Sequence, residues 1–303
     1  MADAGFVASP LVRMFARERQ MQLKFFQEQI FFAIVRITVG TQGGSGASIG
    51  TGFLYRVPVS EDRFCILLVS NRHVYGDPKN PIQLIFHEKD PNDPSRPLLG
   101  QTVSLQGHSF ASVFAAHPEP SVDLACVNVS NIGDPQYSIY YKYLDHSVLP
   151  DFEHEQLLPG SDVWFLGYRE NRFDTKNNLP ILRRGCIASI PKVDFEGRSE
   201  FLIDAQVFRG SSGSPVFTTL GKEFKLVGVV AQTMIRNEKV QAVPTAYTLE
   251  VEQILGLGIV LKASLLRELL DATTADIKTR LAQQEPEPTA DRSESEQSDA
   301  ADG

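Results

Sequence analysis

Three short stretches of the sequence carry side chains that together can move a proton and attack a carbonyl. They are Val69-Ser-Asn-Arg-His-Val74, Ser121-Val-Asp-Leu-Ala125 and Arg209-Gly-Ser-Ser-Gly-Ser-Pro215. A serine hydroxyl is a poor nucleophile unless a base lies within hydrogen-bond reach, and an imidazole titrating near neutrality can take its proton and later give it to a leaving group. A carboxylate on the far ring nitrogen holds the correct tautomer and stabilises the imidazolium. The sequence thus offers Ser212 as nucleophile, His73 as general base and acid, and Asp123 as orienting carboxylate. Each stretch alone is commonplace: a histidine after a strand is most often structural, Asp-Leu-Ala starts many strands, and Gly-Ser runs make ordinary turns. The order His, Asp, Ser across the chain is what gives the set meaning.

Such a row has to be positioned by β structure. From Phe31 onward, β-branched and aromatic runs alternate with Gly, Pro, Asn and Asp, the pattern of many short strands packed as sandwiches or barrels. Candidate strands are Ala33 to Val39, Gly52 to Val57, Phe64 to Ser70, Ile82 to Phe86, Leu124 to Val129, Val163 to Gly167, Phe201 to Asp204, Leu226 to Gln232 and Ile259 to Leu261. The stretch about 131–159 is poorer in strand pattern and carries three Pro residues, so it reads as a linker between two β units. Residues 1–31 read as an amphipathic segment, with helical spacing from Pro10 to Phe32. Residues 266–283 return to helical spacing, and the Glu-, Ser- and Pro-rich tail 284–303 cannot support burial and is expected to be disordered.

Composition narrows the partners. The 303 residues carry a net charge of −8, but Gln284 to Gly303 hold seven acids against one Arg, so the body is nearly balanced. That leaves no basic face for nucleic acid and no polybasic membrane patch. No uncharged apolar run reaches the length of a membrane span, and no signal peptide is seen at the N-terminus. Three widely spaced cysteines, Cys65, Cys126 and Cys186, make neither a disulfide framework nor a zinc motif. The expected location is therefore cytoplasmic, without metal or cofactor.

From about Phe32 to Leu266 the chain resembles the chymotrypsin-like (trypsin-like) serine peptidases, and within them the bacterial HtrA-type branch. Gly50-Thr-Gly-Phe53 is similar to that branch's first-barrel strand, and Gly160-Ser-Asp-Val-Trp-Phe-Leu-Gly167 to its GDxVxAIG segment. Arg184-Gly-Cys-Ile-Ala-Ser189 resembles its SGIVS strand, Asp204 to Gly213 its DAAINxGNSG run, and Gly256 to Leu261 its GIGFAI strand. The resemblance implies an all-β fold of two six-stranded antiparallel β-barrels with N- and C-terminal helices. The peptidase domain would span 32–265, with a first barrel about 32–130 and a second about 160–262. It implies a serine endopeptidase with His73, Asp123 and Ser212 as triad and the amides of Gly210 and Ser212 as oxyanion hole, acting on proteins or peptides. The pocket for the residue before the scissile bond would involve Gln206, Val207, Thr233 and Gly258. None of these is charged, which predicts small to medium apolar side chains there.

Departures matter too. Residue 211 is Ser where the digestive enzymes have an Asp that pairs with a newly cut N-terminus, so that activation route is not expected. Residue 231 is Ala where the pancreatic enzymes place a Ser beside the triad Asp. The residues after Leu261 read as helix and tail, and no PDZ domain fits there. The segment Arg236 to Gln253 reads as a lid or a longer surface loop, and a regulatory protein partner stays open. So do two other functions: a catalytically silent peptide-binding module, and an esterase.

Overall fold

The computed structural model describes residues 23–40, 46–150, 157–168, 173–208, 210–241 and 248–284, without the side chains of 235–254 and 284. The expected helix from Pro10 and the acidic tail lie largely or wholly outside these residues. What is described of the N-terminal segment is one helical turn, α1 (Phe26–Gln29), then a 3₁₀ turn Ile30–Phe32. Glu28 accepts the amides of Lys24 and Phe25 at 3.1 and 3.3 Å, satisfying donors that a helix start leaves open.

The first unit contains β1 (Ile34–Gly40), β2 (Ala47–Pro58), β3 (Phe64–Ser70), a one-turn helix α2 (Arg72–Tyr75), β4 (Ile82–Asp90), β5 (Asp93–Gly107), β6 (Phe114–Ala116), β7 (Ala125–Asn128) and β8 (Ile139–Tyr140). They form an eight-stranded sheet ordered β5-β4-β1-β2-β3-β7-β6, with β8 added on β4. Among the described residues β5 and β6 do not pair, so the closed ring expected of the first unit is an open sheet here. Period-two alternation sorts the strands' apolar residues to two faces. Val35, Ile37, Leu54, Ile66 and Leu68 fill a core inside this sheet, whereas Phe53, Tyr55, Val57, Leu67 and Val69 fill a second core shared with the following unit. Both faces of β2 and β3 are covered, which is why these strands read as nearly continuous apolar runs.

The second unit is a closed barrel, β10-β11-β14-β13-β12-β9. Its strands are β9 (Asp162–Gly167), β10 (Ile181–Ile187), β11 (Glu200–Asp204), β12 (Pro215–Leu220), β13 (Glu223–Gln241) and β14 (Thr248–Lys262). Within the segment expected as lid or loop, Arg236 to Gln241 pair antiparallel with Thr248 to Gln253, extending the β13–β14 hairpin. The stretch read as a linker is structured as well. It carries three 3₁₀ turns and β8, and Leu144 exchanges hydrogen bonds with Leu54 and Arg56 on β2 at 2.9 and 2.8 Å.

A C-terminal helix, α3 (Ala263–Gln284), closes the shared core. Leu266, Leu269 and Leu270 share one face by their i, i+3, i+4 spacing and are at most 1% exposed, packed with Tyr55 and Val57 of the first unit and Phe217 and Leu226 of the second. Phe26 adds to the same region, stacking on Phe224 at 5.3 Å and meeting Trp164 and Phe217 edge-on. The two units are thus held against each other by one continuous apolar cluster. Among the described residues no helix is long and apolar enough to cross a membrane.

Candidate active site

The pairing of β3 with β7 decides where His73 and Asp123 stand. Ser70 lies opposite Ala125. Two residues beyond the ladder the chains are still side by side, and Arg72 N donates to Asp123 O at 3.3 Å. Asn71 starts α2 and, rather than capping it, sends its Nδ2 to Asp123 O at 2.8 Å. Under the helix Tyr75 donates to Leu68 O at 2.6 Å, and burial pushes its phenol well above the ordinary value, keeping it a neutral donor. On this platform Asp123 Oδ1 accepts the His73 amide at 2.9 Å, and Oδ2 lies 2.5 Å from His73 Nδ1. With the carboxylate ionised, the bridging proton sits on Nδ1, which leaves the Nε2 lone pair to accept another. The His73 side chain is 48% exposed and that of Asp123 26%, so the imidazole faces solvent while the carboxylate is half sheltered.

Ser212 sits on a loop fixed by backbone geometry. Ser211 N donates to Phe208 O at 2.9 Å, and Gly210 has φ +88° at the third position of this turn. Positive φ there is a conformation that favours glycine. Gly213, at φ +84°, comes so near the first unit that a β-carbon would stand 2.0 Å from Thr51 O and 2.3 Å from Ser70 Oγ. Thr51 N donates to Ser212 O at 3.1 Å, and Thr51 Oγ1 to Gly210 O at 2.9 Å. The serine loop is thereby sewn to β2, beside the strand β3 that leads into Asn71 and His73.

Among the described residues, neither the Gly210 amide nor the Ser212 amide donates to a protein group. The structure brings His73 and Asp123 into contact and Ser212 to the neighbouring loop. It does not join Ser212 to His73, because Ser212 Oγ donates to Ala231 O at 3.0 Å. Such a set can supply a hydroxyl, a base with an oriented imidazole, and two unused donors.

Residues 50–229 match the trypsin-like peptidase domain family. The chain belongs to the trypsin-like peptidase family. Among solved structures it is similar to the Rv3671c protease of M. tuberculosis in its active form, at 19% identity over 80% of this chain and 81% of that one, with a TM-score of 0.41. It is also similar to the tobacco vein mottling virus protease, at 9% identity over 77% of each chain, with a TM-score of 0.43. No curated protein matches it.

The pocket candidates of this trypsin-like chain lie together. Thr233 pairs with Gly258 across β13 and β14, and buried Val207 packs against Gly258. Gln206 is exposed, and its carbonyl accepts Arg183 Nη1 at 2.9 Å while that guanidinium lies over the Phe208 ring at 4.6 Å. Ser211, which stands where the digestive enzymes have Asp, is 2% exposed inside the turn. Two residues escaped the sequence reading: Thr51, read only as part of a strand, and Asn71, read only as a neighbour of His73. Both are fully buried, and no local sequence pattern marks the bonds they make. Among the described residues no group of three or more His, Cys, Asp or Glu is placed to hold a metal ion.

Proposed function

We propose that this peptidase is a serine endopeptidase in which Ser212 attacks the scissile carbonyl, His73 moves the proton and Asp123 orients His73. The observation that carries the reading is the doubly bonded His73–Asp123 pair beside a serine loop with two unused amides. Ser212 Oγ forms a bond to the carbonyl carbon as its proton passes to His73 Nε2. The oxygen of the tetrahedral intermediate takes the negative charge and is met by the Gly210 and Ser212 amides. His73 then gives its proton to the departing amine as the C–N bond breaks, leaving an acyl-enzyme. Water repeats the sequence with His73 as base and frees the acid. A single oxyanion donor is worth about 3 to 4 kcal/mol of barrier.

The fold of this reading is the two-barrel one, with the peptidase domain over 32–265 and proteins or peptides as substrates. Buried Val207 lying against Gly258, beside uncharged Thr233, supports small to medium apolar residues before the cleaved bond. Three free thiols suit a reducing compartment and favour the cytoplasm.

One observation favours a second reading, a peptide-binding module without turnover: the Ser212 hydroxyl is engaged by Ala231 O. A fluorophosphonate probe separates the two. Catalysis requires that wild-type protein be labelled and Ser212→Ala not, and that new N-termini in a treated proteome depend on Ser212. Absent labelling, or labelling that persists in Ser212→Ala, removes the peptidase mechanism.

A further inference from the structure

Both carboxylate oxygens of Asp123 bond to His73 and, among the described residues, to nothing else. Position 231 is Ala, so that residue offers no hydroxyl to steady them. The aim of this carboxylate therefore depends on how its own main chain is held. Asn71 holds it from one side. On the other side stands a tight loop with a buried histidine at its base.

His117 N donates to Leu124 O at 3.0 Å, which brings the two ends of the loop together immediately beyond Asp123. The imidazole then turns into the loop, and its Nδ1 accepts the amide of Glu119 at 3.1 Å. Glu119 continues the closure: its carbonyl accepts Val122 N at 3.1 Å, and its Oε1 accepts the amide and hydroxyl of Ser121 at 3.2 and 3.0 Å. With Nδ1 an acceptor, the neutral ring carries its proton on Nε2. That nitrogen is buried on a side chain only 1% exposed and lies 3.5 Å from Glu268 Oε2 on α3, near it but not hydrogen-bonded to it or to any other described group. The same helix touches the strand after Asp123 a second time, where Thr273 Oγ1 meets Cys126 Sγ at 3.5 Å.

We infer that His117 is a positioning residue for Asp123, its imidazole bracing from within the loop that carries Asp123 and setting Nε2 beside Glu268 of α3. The inference rests on the serine-peptidase reading above. An imidazole suits the task because one nitrogen accepts from within the loop while the other presents a proton to the helix. An apolar residue of similar size would fill the space and do neither.

The test uses the full chain with His117→Ala, His117→Asn and Glu268→Gln, comparing kcat, KM, thermal stability and the low-field Nδ1–H proton resonance of His73. His117→Ala is expected to lower kcat by roughly 10- to 100-fold, the scale of a small misplacement in a catalytic array, with KM little changed. Asn accepts the amide two residues ahead through its own side chain, so His117→Asn is expected to recover most of kcat and the His73 resonance. Glu268→Gln, on a side chain 61% exposed, is expected to cause a smaller loss in the same direction. A lowered melting temperature in His117→Ala with kcat and the resonance unchanged overturns the assignment. Should His117→Ala fail to fold, unchanged kcat and resonance in Glu268→Gln overturn it equally. Wild-type protein that neither cleaves peptides nor takes up the fluorophosphonate sinks the peptidase reading instead, and the resonance still reports whether His117 governs the His73–Asp123 contact.

Discussion

Ser212 Oγ and Ala231 O are joined by a hydrogen bond of 3.0 Å, which parks the hydroxyl on the backbone of β13. Attack on a carbonyl needs that proton directed to His73 Nε2 instead. Rotation about the Cα–Cβ bond moves Oγ between staggered wells, and it exchanges one neutral hydrogen bond for another, each worth about 0.5–1.5 kcal/mol net. The step is inexpensive, so the parked rotamer is compatible with turnover. A crystal structure of the phosphonylated protein is expected to show Oγ rotated away from Ala231 O, with the phosphonyl oxygen on the Gly210 and Ser212 amides. An adduct whose oxygen points away from both amides contradicts the assigned oxyanion hole.

Gly210 sits at φ +88°, where an L side chain costs roughly 1–2 kcal/mol. Gly210→Ala is expected to relieve that strain by turning the Gly210 amide away from its present direction. The loss of one donor predicts a fall in kcat of about 100- to 1000-fold with KM nearly constant, and a folded protein by circular dichroism. Steady-state kinetics on any cleaved peptide checks this, and kcat within a factor of a few of wild type refutes it.

Those glycines were legible because a motif of small residues around a serine is local in sequence. Strands β2, β3 and β7 were legible for a related reason, since burial on both faces writes itself as β-branched and apolar runs. Where the information is not local, the reading failed. β5 carries Pro94, Pro97 and Gly100, which look like turns, yet a strand at the edge of a sheet tolerates residues that cannot donate to a ladder. The hydroxyl of Thr51 finds its partner, Gly210 O, 159 residues away. Nothing near Thr51 in sequence marks that bond. The described residues 131–150 lack strand periodicity because they contribute short pairings such as Leu144 with Leu54, too brief to leave a pattern, whatever their place between the two units.

His87 provides a prediction independent of catalysis. It is 3% exposed on β4, its ring is edge-on to Phe32 with 4.7 Å between centroids, and its Nε2–H donates to Asn177 O at 3.0 Å. Burial lowers its pKa below the ordinary 6.5, against a smaller opposing effect of the hydrogen bond to Asn177. Below pH 6.5 the unfolded chain therefore binds a proton that the folded chain resists, and stability falls as pH drops toward the folded value. Above pH 6.5 both states are neutral at this residue, and it adds no slope. The carboxylates held below their ordinary 3.8, Asp93, Asp145, Asp174 and Asp194, lose their contribution only at lower pH, as each is protonated through its folded pKa. Urea unfolding from pH 7 to pH 5 is expected to show falling stability in the wild type, with His87 contributing at most about 1.4 kcal/mol per pH unit. His87→Gln keeps a donor for Asn177 O but has no proton to bind, so its curve should be flatter over the same window. Parallel curves for the two proteins would mean that His87 does not resist protonation in the fold.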